Sequence, residues 1–98
     1  MDRTSVLETL RTHEPGLKAA GLLHLRLFGS VARNQADPLS DIDLLADFDR
    51  SRPVTLVTVG RLQIELSELL GTAVDLSSTD WMEEPALTST LRESIVAF

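Results

Sequence analysis

Between Asp41 and Phe48 the chain alternates in a way that only an extended strand can use. Asp41, Asp43, Leu45 and Asp47 fall on one face, and Ile42, Leu44, Ala46 and Phe48 on the other. Such a strand buries its apolar face and leaves its acidic face to water or to a ligand. That demand is severe in a chain of 98 residues without cysteine, where no disulfide and no thiolate metal site can hold a small fold together. Packing alone must do so. The length predicts a single domain, residues 1–98, able to bury roughly two thirds of its unfolded surface. With 43% apolar and 24% charged residues, the composition supports a folded core and not a disordered chain.

The rest of the pattern supplies partners for that strand. Ser5 to Glu8 matches a Ser-x-x-Glu capping box, and Val6, Leu7 and Leu10 share a face of a helix over about 5–13. Pro15 opens a second short helix that Gly21 ends. Leu23, Leu25 and Leu27 then alternate with His24, Arg26 and Phe28, predicting a strand that stops at Gly29-Ser30. A short helix over 31–35 with Ser30 as its cap follows, then turn chemistry across 36–40. Leu56, Val59, Leu62, Leu66, Leu69 and Leu70 recur at helical spacing over about 55–70, interrupted by Gly60 and closed by Gly71. A third strand covers 73–77, with Asp75 facing away from Val74 and Leu76. Pro85 opens a last helix striped by Leu87, Leu91 and Ile95. The expected architecture is α+β: one small mixed sheet of three to four strands flanked by helices, without repeats or linkers.

Chemistry concentrates in GSVARNQADPLSDID, residues 29–43, where Gly-Ser is followed after ten residues by Asp-x-Asp. Gly29 lets the backbone approach a ligand. Ser30 and the unpaired amides of the first helical turn offer donors suited to phosphate, and Arg33 can add a charge-assisted bond to a triphosphate oxygen. Asp41 and Asp43 on one strand face, about 5 Å apart at an effective dielectric of 20, repel by roughly 3 kcal/mol. Protonation of one acid can offset that repulsion, but the commoner arrangement beside a phosphate cradle is a divalent cation with hard oxygen ligands, magnesium above all. Asp75 on the neighbouring strand is the candidate third ligand. Two metals held by three carboxylates would clamp the attacking and leaving oxygens of an in-line displacement at phosphorus.

GSVAR followed by SDIDLL, with AVDL after the long helix, resembles the minimal nucleotidyltransferase (MNT) family of the DNA polymerase β-like superfamily, across nearly the whole chain. The resemblance implies the polymerase β-like palm fold. It implies that Gly29 and Ser30 hold the triphosphate, that Asp41 and Asp43 coordinate magnesium, and that Asp75 binds the metal near the acceptor and helps deprotonate its hydroxyl. It further implies transfer of AMP from ATP to that hydroxyl with release of pyrophosphate. Short members resemble antitoxins paired with a HEPN-domain toxin, some of which AMPylate a tyrosine of the toxin. Many relatives carry glycine where this chain has Asn34, a residue that tolerates left-handed backbone better than most.

Structural readings compete at several positions. Asp47-Phe48-Asp49 is a second Asp-x-Asp without a Gly-Ser upstream, and so reads as an ordinary pair. Arg33 can instead pair with Asp37. His13 and His24 have no metal-ligand spacing, Glu83 and Glu84 read as a solvated pair, and Trp81 in a polar loop reads as cover for a core edge. A net charge of −6 argues against direct nucleic-acid binding and so against RNA as acceptor. With neither signal-peptide nor membrane-spanning pattern, the expectation is a cytoplasmic enzyme acting on a partner protein. Its rivals are an antitoxin that neutralises by masking alone, and nucleotidyl transfer to a small molecule.

Overall fold

The computed structural model describes residues 2–35 and 40–98; the turn expected over 36–40 lies outside the described residues except at Ser40. The elements in chain order are α1 (Arg3–Thr12), α2 (Glu14–Ala19), β1 (Leu22–Phe28), α3 (Gly29–Ala32), β2 (Ile42–Phe48), α4 (Leu56–Leu70), β3 (Val74–Ser78), a 3-10 turn (Thr79–Trp81), α5 (Ala86–Glu93) and β4 (Ile95–Val96). The strands form one mixed sheet in the order β3-β2-β1-β4. β1 runs antiparallel to β2 and β4, while β2 and β3, joined through α4, run parallel. The α+β expectation holds, with four strands.

The alternation in β2 dictates the layers. Ile42, Leu44, Ala46 and Phe48 are buried and join Leu25 and Leu27 of β1 and Val74 and Leu76 of β3 on one face. Val6 and Leu10 of α1 and Val59, Leu62, Leu66 and Leu70 of α4 pack on that face. Each fully buried leucine contributes about 1.5–3 kcal/mol of transfer free energy, so this layer carries the stability of a chain without cross-links. No helix among the described residues is long and apolar enough to cross a membrane.

Four local expectations are corrected. The cap of α1 is Asp2, whose carboxylate accepts the Ser5 amide at 2.8 Å, so Ser5 lies inside the helix and is not its cap. Leu23 does not share the inward row with Leu25 and Leu27: the register slips between Leu22 and His24, a bulge that turns Leu23 outward to 47% exposure and brings Leu22 into the core. Ser30 is likewise within α3, because Gly29, at φ +74°, starts that helix two residues earlier than expected and leaves Phe28 in the cap position. Ile95 does not extend the stripe of α5. The helix ends at Glu93, the Ser94 hydroxyl donates to the Leu91 carbonyl, and Ile95 and Val96 pair with Leu27 and Arg26 as β4. Arg11 holds this added strand in place by donating to the carbonyls of Ala97 and Val96.

Candidate active site

Phe28 leaves β1 in extended conformation, and the backbone then reverses at Gly29 into α3. Two constraints fix glycine there. Its positive φ disfavours any L side chain, and a Cβ would overlap the Asp43 carboxylate, coming within 3.0 Å even of its Cγ. The strand-to-helix turn and the second aspartate of the Asp-x-Asp pair therefore meet at one point, as the spacing of residues 29–43 predicts. Asn34 takes φ 58°, the left-handed position expected of it.

Ser30 gains a different role from the cap reading. α3 has no side-chain cap, and the Ser30 hydroxyl makes no hydrogen bond among the described residues, so a half-buried donor sits unused one residue after Gly29. Arg33 is exposed; its Nε donates to Gln35 Oε1 at 3.2 Å, and its positive charge reaches Asp43. The alternative partner Asp37 lies outside the described residues.

On the acidic face of the sheet Asp43 stands opposite Phe28 of β1 on one side and directly opposite Asp75 of β3 on the other. Asp41 precedes β2 and is exposed, as is Asp75, whereas Asp43 is half-buried. Burial first, then the charges of Asp75 and Asp41, push the Asp43 carboxyl above its ordinary value of 3.8, and Arg33 opposes the shift. Both other predicted acids thus act on Asp43. The three are not closed into a cage: among the described residues no three carboxylate or imidazole groups stand close enough to hold an ion.

Magnesium nonetheless fits this donor set. It prefers hard oxygens, takes only one or two protein carboxylates, and fills its remaining positions with water and phosphate. Asp43 stands in a field that is anionic on balance despite Arg33, and Asp41 and Asp75, exposed and free of hydrogen bonds among the described residues, can turn toward an ion beside it.

The other candidates are occupied elsewhere. Asp47, at the far end of the same strand face, accepts the Thr79 hydroxyl at 2.5 Å, and Asp49 accepts the Ser51 amide and hydroxyl at 3.0 and 2.7 Å. The second Asp-x-Asp is thus hydrogen-bonded within the fold at both carboxylates. His13 Nδ1 lies 2.9 Å from the Thr9 carbonyl within α1, and His24 is exposed on β1. Glu83 is exposed, and Glu84 accepts from Thr88 in α5. Trp81 corrects its reading: it is 49% exposed and does not seal the core.

Arg26 is a residue that motif reasoning passed over. Opposite Leu45, it places a guanidinium on the acidic face, with Nη1 donating to Ser94 Oγ at 3.4 Å and a buried Nε without a partner among the described residues. The signal was in the alternation of β1, which aligns His24, Arg26 and Phe28 with the aspartates.

Comparison with known proteins bears on this geometry. The profile of the nucleotidyltransferase domain family matches residues 6–97. A Methanocaldococcus jannaschii chain, MJ0126, described as a candidate protein adenylyltransferase, is 32% identical over 94 residues, covering 95% of this chain and 94% of its own. A solved structure described as a candidate minimal nucleotidyltransferase superposes with a TM-score of 0.80 at 38% identity, covering 97% of this chain and 95% of that one. A Shewanella oneidensis complex of an MNT antitoxin with a tri-AMPylated HEPN toxin contains a chain of the same fold. That chain gives a TM-score of 0.62 at 18% identity, with 98% of this chain and 68% of the other covered.

Proposed function

The chain belongs to the nucleotidyltransferase domain family, and we propose that it transfers AMP from ATP, with magnesium, to a tyrosine hydroxyl of a HEPN-type partner toxin, acting as the antitoxin of the pair. The observation that carries this reading is the contact between Gly29 and Asp43: the turn suited to phosphate and the acid suited to a metal occupy the same point. The names of the relatives, protein adenylyltransferases among them, support transfer to a protein.

Each residue then has a task. The backbone of Gly29, the free hydroxyl of Ser30 and the first turn of α3 receive the triphosphate, and Arg33 neutralises part of its charge. Asp41 and Asp43 hold magnesium, with Asp75 completing the set for a second ion. When bound, the metal supplies Lewis-acid stabilisation of charge on the phosphoryl oxygens. Asp75, exposed at the neighbouring strand, takes the proton of the incoming hydroxyl. The acceptor oxygen forms its bond to the α-phosphorus as the bond to pyrophosphate breaks. The chain contains no tyrosine, so a tyrosine acceptor must belong to another molecule.

The test is transfer of label from ATP marked at the α-phosphate to the co-expressed partner, in magnesium, by wild type, Asp41→Asn and Asp43→Asn. Labelled partner with wild type, and none with either variant, is the expected result. Neutralisation of the toxin by both variants without any transfer would instead establish masking.

A further inference from the structure

Opposite its buried row, helix α4 presents exposed apolar side chains that the fold does not use, with exposed Glu68 on the same side. Its buried residues, Val59, Leu62, Leu66 and Leu70, all turn toward the sheet. On the opposite side Val57 and Ile64 are 69% and 62% exposed. Between them, at the middle of the helix, stands Gly60. A Cβ at Gly60 would meet nothing within 4 Å, and its backbone is ordinary right-handed helix, so nothing within the chain requires glycine. The residue nonetheless costs the helix about 1 kcal/mol relative to alanine. A missing side chain on an exposed helix face is useful where a second backbone comes close. Along the other flank of this face lie Arg61 and Glu65, neither of them in an ion pair among the described residues.

We propose that this face of α4 binds the same face of a second copy of the chain, the two helices running antiparallel about a two-fold axis. A two-fold interface requires a surface that complements itself. Here Ile64 and Gly60 stand one turn apart, so antiparallel pairing seats the Ile64 side chain of each copy over the Gly60 hollow of the other. Antiparallel pairing also brings like flanks together, which sets Arg61 of each copy near Glu65 of the other. The match is both steric and electrostatic, and each contact occurs twice. Because α4 packs on the sheet face opposite Asp43 and Asp75, both acidic faces remain open and directed away from the junction.

Sedimentation equilibrium at micromolar concentrations should give a dimer for wild type and a monomer for Ile64→Glu. Gly60→Ala separates the two accounts of the glycine. In a monomer it stabilises the helix and leaves the mass unchanged, whereas at a helix crossing its methyl group should raise the dissociation constant at least about tenfold. Arg61→Glu and Glu65→Arg should each weaken association, and the double reversal should restore it. All these positions are exposed, so circular dichroism should report folded variants. A wild type that stays monomeric, or a dimer indifferent to both Gly60→Ala and Ile64→Glu, overturns the proposal.

Discussion

At the scale of single residues, Asp43 is where function and stability pull apart. Its carboxyl is raised by burial and by Asp75 and Asp41, so the folded state holds its proton more tightly than the unfolded chain does. The associated stability is present below the ordinary carboxylate value and is lost as pH rises through the folded value. Asp43→Asn should therefore raise the melting temperature of the metal-free protein at pH 7, with the gain fading toward pH 3.8 and below. The same substitution should lower transfer by at least about a hundredfold, about 2.7 kcal/mol of transition-state stabilisation. An unchanged melt at pH 7 would contradict the crowding of charge. Gly29→Ala should damage both properties, since the left-handed backbone alone costs about 1–2 kcal/mol and the methyl group invades the Asp43 carboxylate. Thermal melts and label transfer report the two losses separately. Much of this site was readable beforehand, because alternation assigns each strand residue to a face and the Gly-Ser to Asp-x-Asp spacing brings a turn back to the next strand. The start of α3 was not, since it depends on whether Gly29 takes positive φ, which no periodicity reveals.

Elements were legible where periodicity is long and illegible where one residue decides. The fifteen residues of α4 repeat their buried row clearly enough to place it within a residue. Leu66→Ala, fully buried in that row, should cost about 2–5 kcal/mol in denaturant unfolding, whereas truncation of exposed Leu56 should cost little. The bulge in β1 was invisible because Leu22 and Leu23 are the same residue type, and only pairing with Phe48 and Asp47 decides which turns inward. β4 escaped notice because two residues make no pattern; Arg11 and the pairing with β1 create it. The capping box at Ser5 drew the start of α1 away from Asp2, which the structure uses instead. The bonds of Asp2 to Ser5 hold its carboxyl below the ordinary value. Asp2→Ala should lower the melting temperature at neutral pH more than Ser5→Ala does, and the difference should vanish as acid protonates Asp2.

For the molecule as a whole, the division of labour follows from one sheet with two unlike faces. The apolar face carries the core and, through α4, the proposed junction between copies; the acidic face carries the candidate site. A net charge of −6 reinforces that division, because it disfavours polyanions, while under the proposed function the turn at Gly29 and Ser30 takes a triphosphate together with a cation. The most direct measurement is calorimetric titration of ATP into the protein with and without magnesium, in wild type and in Asp43→Asn. The account predicts magnesium-dependent binding by wild type that Asp43→Asn abolishes. Absence of magnesium-dependent uptake of any nucleoside triphosphate by the wild type, or equal uptake by the variant, would contradict it.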